Sequence, residues 1–345
     1  MKKAMIAMSG GVDSSAAAYL ALQQGYHCIG GTMLLWNPTE SSTDDARAVA
    51  DRLGIPFHTF DASATFCRQV IEPFISAYEE GLTPNPCFLC NCRLKFSWLF
   101  EQAQALGCDY IVTGHYARLE QKDGRTLLYS APDKLKDQSY FLAGLTQEQL
   151  NHSLFPLGDY TKEQVRQIAL EQGFVNAGKK DSQDICFIPD GDYKAFMESY
   201  TGKTYPGGSF IDTDGKIVGQ HSGAAGYTLG QRKGLGLAMG SPVYVCGKDM
   251  ANNTVTVGPE ALLFANTLFA EQANFIPFDK LEAPLRVTAK ARSRHNSQPA
   301  TVYPVSDGAF RVEFDQPQRA ITPGQAVVLY DGDLVIGSGI ITGAE

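Results

Sequence analysis

The segment Ser9-Gly10-Gly11-Val12-Asp13-Ser14-Ser15 constrains the fold of this chain more than any other. It follows an apolar run, residues 4–8, that predicts a buried strand, and it precedes an Ala- and Leu-rich stretch that predicts a helix ending at Gly25. Glycine permits a tight turn, and the first N–H groups of a helix have no internal acceptor and lie at the positive end of the helix dipole. The sequence therefore predicts an anion-binding loop.

The string of residues 9–15 also narrows the kind of anion. It lacks the Gly-Lys-Ser/Thr ending of the common P-loop, so it carries no lysine for a γ-phosphate. We expect the hydroxyls of Ser14 and Ser15 to add donors. If the segment were only an ordinary capped turn between a strand and a helix, the two glycines would be enough. The whole string resembles the PP-loop of ATP pyrophosphatases, which cleave ATP to AMP and pyrophosphate.

Strands and helices alternate through the first half of the chain. The pattern predicts strands over residues 28–35, 55–60 and 110–113, and helices over residues 44–53, 66–78 and 93–106. Such alternation is typical of βαβ units and a parallel sheet, whose ligands bind at the carboxyl ends of the strands. We therefore expect the glycine loop, Met33 and Gly114-His115 to share one rim.

The pattern changes toward the second half of the chain. A hairpin is predicted over residues 116–130, and Thr161 is a predicted N-cap. After about Tyr200 the composition becomes glycine-rich, and the last ~80 residues alternate as in a small antiparallel barrel. We predict an α/β protein with a PP-loop catalytic domain over residues 1–198, a central domain over 199–262 and a C-terminal β-barrel over 263–345.

Charge and cysteine content limit the class of protein. The net charge of −8 argues against indiscriminate nucleic-acid binding, although seven basic residues between 280 and 319 form either a local RNA-binding patch or a solvated strand face. Eight cysteines in a chain of 345 residues are not a disulfide scaffold, and the first apolar run is too short for a signal peptide. We expect a cytoplasmic enzyme that does not bind membranes.

Two cysteine segments are candidates for chemistry. Cys90 follows a proline-rich stretch and precedes the helix predicted at Arg93, so the helix dipole together with Lys95 is expected to lower its thiol pKa. A zinc site would need four ligands, and the sequence has no second Cys-x-x-Cys pair. The other segment, residues 179–189, carries Cys186 in an Ile-Cys-Phe setting, where the residues alone leave a core and a catalytic role open.

The order of motifs along nearly the whole chain resembles the tRNA-uridine 2-sulfurtransferases, the bacterial tRNA-specific 2-thiouridylases. The motifs that carry this resemblance are residues 9–15, 83–91, 113–117, 136–142, 182–188, 227–235 and 322–325.

The resemblance implies roles for individual residues. The implied ATP-binding residues are Ala7, Met8, Ser9, Gly10, Gly11, Val12, Asp13, Ser14, Met33 and Gly114. The implied catalytic residues are Cys90 as the nucleophile, Cys186 as the persulfide carrier and Asp13. The residues implied to lie beside the target base are Asn85, Pro86 and Cys87. The residues implied to contact tRNA are His115, Lys136, Asp137, Gln138, Arg292, Ser293 and Gln325.

The implied reaction is thiolation of the wobble uridine, U34, in tRNAs for Lys, Glu and Gln. ATP with Mg²⁺ would adenylate the C2 oxygen, and a persulfide on Cys186, loaded by a sulfur-relay protein or a cysteine desulfurase, would supply sulfur, with a Cys90–Cys186 disulfide as one product. Two departures stand out: many members have Asp at the position of Cys87, and Arg-Tyr where this chain has Arg292-Ser293.

Three alternatives stay open at this point. Thiolates of Cys87, Cys90 and Cys186 can hold a 4Fe-4S cluster whose open iron binds hydrosulfide. An amide-forming ligase would keep the PP-loop and need none of these thiols. A non-catalytic RNA-binding protein would have no use for an intact glycine loop.

Overall fold

The computed structural model describes residues 2–37, 43–179 and 185–345. Its helices are α1 (Val12–Gln23), α2 (Asp44–Leu53), α3 (Ser63–Phe66), α4 (Glu72–Glu79), α5 (Pro86–Cys90), α6 (Leu99–Ala105), α7 (Ser139–Leu142), α8 (Gln147–Asn151), α9 (Lys162–Glu171) and α10 (Tyr193–Thr201). Wider helical turns over Cys67–Ile71 and Asn91–Trp98 join α3 to α4 and α5 to α6. Within these residues, no helix is both long and apolar enough to cross a membrane.

The strands fall into three sheets. They are β1 (Lys3–Ala7), β2 (His27–Leu34), β3 (Phe57–Asp61), β4 (Tyr110–Val112), β5 (Ala117–Lys122), β6 (Arg125–Ser130), β7 (Ser153–Leu154), β8 (Gly208–Ile211), β9 (Ile217–His221), β10 (Tyr244–Asp249), β11 (Thr254–Gly258), β12 (Phe264–Phe275), β13 (Leu285–Lys290), β14 (Gln298–Ser306), β15 (Ala309–Arg319), β16 (Ala326–Asp331) and β17 (Leu334–Ala344).

The first sheet is parallel and has the order β3-β2-β1-β4-β7. Strand β1 pairs with β2 on one side and with β4 on the other, so the chain runs outward from β1 through β2 to β3 and then returns to the opposite side of β1 at β4. Such a reversal opens a crevice at the carboxyl end of the central strand. The parallel sheet predicted from the alternation is confirmed, and the glycine loop lies at this crevice.

Helices cover both faces of this sheet because the side chains of β1 alternate. Ala4 and Ile6 pack in the core formed with α1, α2 and α9, whereas Met5 packs in the core formed with α6. All three side chains are fully buried. Two-sided burial explains why β1 is a continuous apolar run instead of an alternating one.

The last part of the chain forms a closed antiparallel barrel, as predicted. Its strand order is β12-β15-β14-β13-β16-β17, and a further pairing of β12 with β17 closes the ring. A smaller sheet, ordered β10-β11-β8-β9, forms around the buried ring of Phe210 and lies between the two larger domains in the sequence. Closure removes the open edges that a sheet of this size would otherwise expose.

The barrel is joined to the first domain. The predicted hairpin is present as β5–β6, and β6 pairs with the barrel strand β17 through Tyr129 and Leu334. Val328 and Tyr330 of the barrel pack in the same core as Leu128 and Tyr140 of the first domain. The two domains therefore share a hydrophobic core, which the sequence did not indicate.

Candidate active site

The glycine loop, residues 9–15, turns sharply from β1 into α1. Gly10 has φ +70°, a left-handed value that favours glycine, and Gly11 is the extended N-cap of α1. Ser14 and Ser15 each donate a hydroxyl hydrogen bond to the Gly11 carbonyl at 3.0 Å. These hydroxyls therefore brace the loop, and the backbone N–H groups of the first turn of α1 remain as the anion donors.

The carboxylate of Asp13, in the first turn of α1, is held by two buried side chains. Lys162 Nζ lies 2.7 Å from Oδ1 and 2.9 Å from Oδ2, and the Tyr116 hydroxyl donates to Oδ1 at 2.8 Å. Sequence analysis missed Lys162. The predicted N-cap at Thr161 placed it at the start of a helix, but no sequence pattern indicates which loop that helix faces.

Asn176 and Lys179 contact the glycine loop from its other side, and sequence analysis missed both. The buried Asn176 amide donates to the Gly10 carbonyl at 3.1 Å and to Ser15 Oγ at 2.9 Å. Lys179 Nζ lies 3.4 Å from the same carbonyl and 2.8 Å from Asp45 Oδ2. The segment after α9 therefore packs against the glycine loop.

Gly114, just beyond β4, packs directly against the glycine loop. A Cβ at this position would lie 2.7 Å from the carbonyl carbon of Asp13 and 2.8 Å from the nitrogen of Ser14, which only glycine avoids. Met33 lies partly buried near the carboxyl end of β2. The structure thus brings Met33 and Gly114 to the rim that carries the loop.

His115, predicted to contact tRNA, lies inside the protein. It is 8% exposed, its Nδ1 lies 2.7 Å from Thr113 Oγ1, and its ring packs against Phe96 and Phe155. Burial holds the pKa of this imidazole well below its ordinary value, and nearby Lys95 lowers it further. The side chain is a neutral core histidine with little surface for a direct tRNA contact.

The helix that carries Cys90 begins earlier than expected. Asn85 caps α5 by accepting from the Phe88 N–H at 3.2 Å, and Pro86 occupies the first turn. Cys90 therefore lies past the first turn and is 8% exposed. The expectation of a lowered pKa was wrong: burial raises the pKa of this thiol to about 12, although Lys95 opposes the shift.

Three thiols approach one another beside this helix. Cys87 and Cys186 are exposed, and the charges of both act on the buried Cys90, each raising its pKa. Desolvation also raises the pKa of Cys186, while the positive charge of Lys95 lowers it. The structure therefore brings the two predicted cysteine segments together, with each thiol reduced. The approach to Cys186 over residues 180–184, part of the motif predicted there, lies outside the described residues.

Comparison with known proteins identifies the family. The profile described as tRNA methyl transferase HUP domain matches residues 2–190, and those described as tRNA methyl transferase PRC-barrel domain and aminomethyltransferase beta-barrel domain match 194–259 and 265–341. The tRNA-specific 2-thiouridylase MnmA of Clostridioides difficile is 48% identical over 99% of this chain and 98% of its own length. The chain belongs to the tRNA-specific 2-thiouridylase family.

Further relatives agree with this family. The tRNA-specific 2-thiouridylases MnmA of Acetivibrio thermocellus and Clostridium acetobutylicum are 49% and 47% identical, each over 99% of both chains. The domain profiles carry names of methyl transfer, whereas these full-length relatives are all named 2-thiouridylases. The resemblance inferred from the motifs is thereby confirmed, as is an N-terminal domain of the ATP-using PP-loop type.

The described residues do not preform a metal centre. Among them, no group of three or more His, Cys, Asp or Glu side chains is arranged to hold a metal ion. The trio Cys87, Cys90 and Cys186 does not form such a group although the thiols interact. In this conformation the donor set does not fit an iron–sulfur cluster.

Several residues implied to contact tRNA form hydrogen bonds within the protein. Asp137 accepts the N–H groups of Ala131 and Ser139 at 3.0 and 3.2 Å, and Gln138 Oε1 accepts the N–H of Tyr116 at 3.0 Å. Lys136 is half-buried beside them. The polar side chains of Asp137 and Gln138 therefore shape the turn before α7, and a tRNA contact by these residues stays a prediction.

The implied tRNA residues of the barrel are also tied to the protein. Arg292 is hydrogen-bonded to the Leu229 carbonyl at 3.1 Å and to Thr322 Oγ1, and its buried Nε has no partner within the described part of the chain. Ser293 is half-buried next to it. Arg292 therefore joins the barrel to the glycine-rich segment of the central domain.

Proposed function

We propose that the protein is an ATP-dependent tRNA-uridine 2-sulfurtransferase that thiolates the wobble uridine of tRNAs for Lys, Glu and Gln. One observation carries the proposal: a short chain of contacts joins the anion-binding loop to the thiols. Gly114 packs on the loop at Asp13, the adjacent His115 packs on Phe96, and Lys95 acts on the thiol cluster. Activation at the loop and sulfur delivery would therefore occur at neighbouring places.

The proposed first step activates the base. The C2 oxygen of the uridine attacks the α-phosphorus of ATP, the α–β phosphoanhydride bond breaks, and pyrophosphate leaves from the glycine loop. Backbone N–H groups at the start of α1 stabilise the developing negative charge. Adenylation is needed because AMP is a good leaving group at C2, whereas a uracil oxygen is not.

The proposed second step transfers sulfur. The terminal sulfur of a Cys186 persulfide attacks C2, and AMP leaves as the C2–O bond breaks. Cys90 then attacks the remaining S–S bond, so that 2-thiouridine is released and a Cys90–Cys186 disulfide forms, which a thiol reductant resets. In the other order, Cys90 first releases hydrosulfide from the persulfide and the hydrosulfide attacks C2. The reduced Cys90 and Cys186 near one another support either order.

Mg²⁺ is the proposed metal of the first step. Asp13, a carboxylate on the glycine loop and one-third exposed, fits as its ligand from the protein. When bound with ATP, Mg²⁺ neutralises phosphate charge. The protein's own contribution is to hold Asp13 at the loop through Lys162 and Tyr116.

An iron–sulfur route is the competing hypothesis for sulfur delivery. It would need Cys87, Cys90 and Cys186 as ligands, an arrangement that the described residues do not adopt. Anaerobic purification separates the routes. A colourless protein that thiolates at full rate without iron supports the persulfide, whereas stoichiometric iron and sulfide, absent from Cys87→Ala, would support the cluster.

The persulfide route also requires a protein partner. We propose a sulfur-relay protein or a cysteine desulfurase as the donor, acting on the exposed Cys186 thiol. The solvent exposure of Cys186 supports this, because a persulfide-bearing partner can reach it directly. Cys90 is too buried to serve as the entry point.

Pyrophosphate release tests the function as a whole. We expect ATP to be cleaved to AMP and pyrophosphate only with unmodified tRNA, and sulfide but not ammonia to give a modified nucleoside detected by mass spectrometry. Turnover with ammonia and no need for tRNA would indicate an amide ligase. Binding of tRNA with no ATP cleavage would indicate an RNA-binding protein.

A further inference from the structure

The glycine loop has no lysine of its own, yet a lysine 149 positions away reaches it. Lys162, the first residue of α9, places Nζ 2.7 and 2.9 Å from the two oxygens of Asp13. Its side chain is 7% exposed, whereas that of Asp13 is 34% exposed. The cation is therefore buried, and the carboxylate with which it pairs is the more exposed of the two groups.

The position of this cation is unusual in electrostatic terms. The N-terminus of α1 carries the positive end of a helix dipole, so a lysine beside it is unfavourable unless an anion lies between them. Asp13 is that anion in the nucleotide-free protein. A buried cation also requires a partner, since an uncompensated buried charge strongly destabilises the fold. A ligand that draws Asp13 away is therefore favoured when it brings another anion to Lys162.

The backbone of Lys162 is fixed, so an exchange of partners would involve its side chain alone. Thr161 and Gln164 form a reciprocal capping box at the start of α9, and the Lys162 N–H donates to Asp133 Oδ2 at 3.2 Å. Helix α9 also packs against α1 through a common core that includes Val165. Only the four-carbon arm needs to move for Nζ to pass from a carboxylate to a phosphate.

We propose that Lys162 is the phosphate-binding cation of the nucleotide site. It neutralises Asp13 when the loop is empty and contacts the pyrophosphate portion of ATP when the loop is filled, which leaves Asp13 to face Mg²⁺. Lys162 thus supplies from α9 the charge that a P-loop supplies from its own sequence. This inference rests on the proposed use of ATP and deepens it by assigning a residue to the transferred pyrophosphate.

Ligands that differ in phosphate content test the assignment. We expect Lys162→Met to weaken the binding of Mg-pyrophosphate and of α,β-methylene-ATP at least tenfold in calorimetry, and to change AMP binding less than twofold. Lys162→Arg should retain most of the affinity for pyrophosphate. Lys203→Met is the matched control, because it removes a lysine that is paired with Glu79 at 2.7 Å and lies outside the proposed site. Equal affinities in Lys162→Met and wild type would overturn the assignment.

A second comparison covers the case in which Lys162→Met fails to fold. Asp13→Asn removes the carboxylate, and Asp13→Asn combined with Lys162→Met removes both charges, so the double variant leaves neither member of this ion pair without the other. We expect the double variant to bind pyrophosphate at least tenfold more weakly than Asp13→Asn alone. Equal binding would make Lys162 a structural partner of Asp13 only. A wild-type protein that binds neither pyrophosphate nor the ATP analogue would overturn the ATP-using function itself.

Discussion

Gln325 of the barrel donates from Nε2 to the carbonyl oxygen of Thr83 at 2.9 Å and, in addition, to that of Pro84 at 3.2 Å. The Thr83 N–H returns a bond to the Pro323 carbonyl at 2.9 Å. Gly324, with φ +91°, fits between them, where a Cβ would lie 2.9 Å from the Thr83 nitrogen. The barrel therefore fixes the backbone that leads into the cysteine helix α5.

This pairing predicts that Gln325→Ala lowers the rate of thiolation without weakening ATP binding. Two hydrogen bonds of about 0.5–1.5 kcal/mol each hold the segment, so their loss should raise its mobility before Cys87. We expect faster alkylation of Cys87 by iodoacetamide in the tRNA-free protein and a kcat reduced about tenfold. Gln318→Ala, which removes a half-buried barrel amide bonded to the Gln316 carbonyl, is the control. If Gln325 acts only by touching tRNA, alkylation of the tRNA-free protein will not change.

The raised pKa of Cys90 predicts low reactivity at neutral pH. With a pKa of about 12, the thiolate fraction grows tenfold per pH unit, so the alkylation rate of Cys90 should rise log-linearly from pH 7 to 9.5 without a plateau. Peptide mass spectrometry after timed alkylation measures this rate. Since the folded pKa lies above the ordinary thiol value, the thiol stabilises the fold below about pH 8.5, and this contribution is lost as pH rises toward 12. A plateau near pH 7 would instead indicate a thiolate.

Features governed by local sequence were predictable. The helix at Asp44–Leu53 has the predicted bounds, since Gly54 ends it in a left-handed conformation. Thr161 caps α9 as predicted because an N-cap depends only on neighbours within one turn. The glycine loop also forms between a strand and a helix, as its sequence requires.

Features governed by distant partners were not predictable. The pKa of Cys90 depends on burial by packed helices, and the sequence indicated only its nearby cations. Lys162 meets Asp13 across 149 positions, and Gln325 meets Thr83 across 242. Gln138 belongs to a motif shared with the family, but a motif does not show whether its side chain contacts tRNA or forms a hydrogen bond with the protein's own backbone. Only the fold assigns these partners.

Activation and sulfur delivery use different groups, so one substitution should separate them. We expect Cys186→Ser to lose more than ~95% of thiolation with a persulfide donor and to retain tRNA-dependent pyrophosphate release within about twofold. Cys246→Ser is the control, because the thiol of Cys246 lies on β10 and donates to the Tyr244 carbonyl at 3.3 Å, and it should keep both activities. Thiolation at the wild-type rate by Cys186→Ser would show that Cys186 has only a structural role.

The role of the basic patch of the barrel in tRNA binding is best tested by substituting single charged residues. Deleting the barrel from about residue 265 would also remove Ile276, Val328 and Tyr330 from the core shared with the first domain, so weaker binding would not report on charge. Arg294 is exposed, whereas Arg286 is paired with Asp315 at 2.7 Å. Of the two, Arg294 is therefore the better placed to meet a tRNA phosphate.

Removing one cation that binds a tRNA phosphate should reduce the slope of log affinity against log salt by about 0.7–0.9. We expect Arg294→Gln to show this reduction in tRNA binding titrated from about 50 to 200 mM salt, and Arg286→Gln, whose charge is already neutralised by Asp315, to show less than a third of it. Both variants lose one positive charge, so a general effect of net charge would change the two slopes equally. Equal slopes in Arg294→Gln and wild type would assign this face of the barrel to solvent, and tRNA binding would then depend on the first domain.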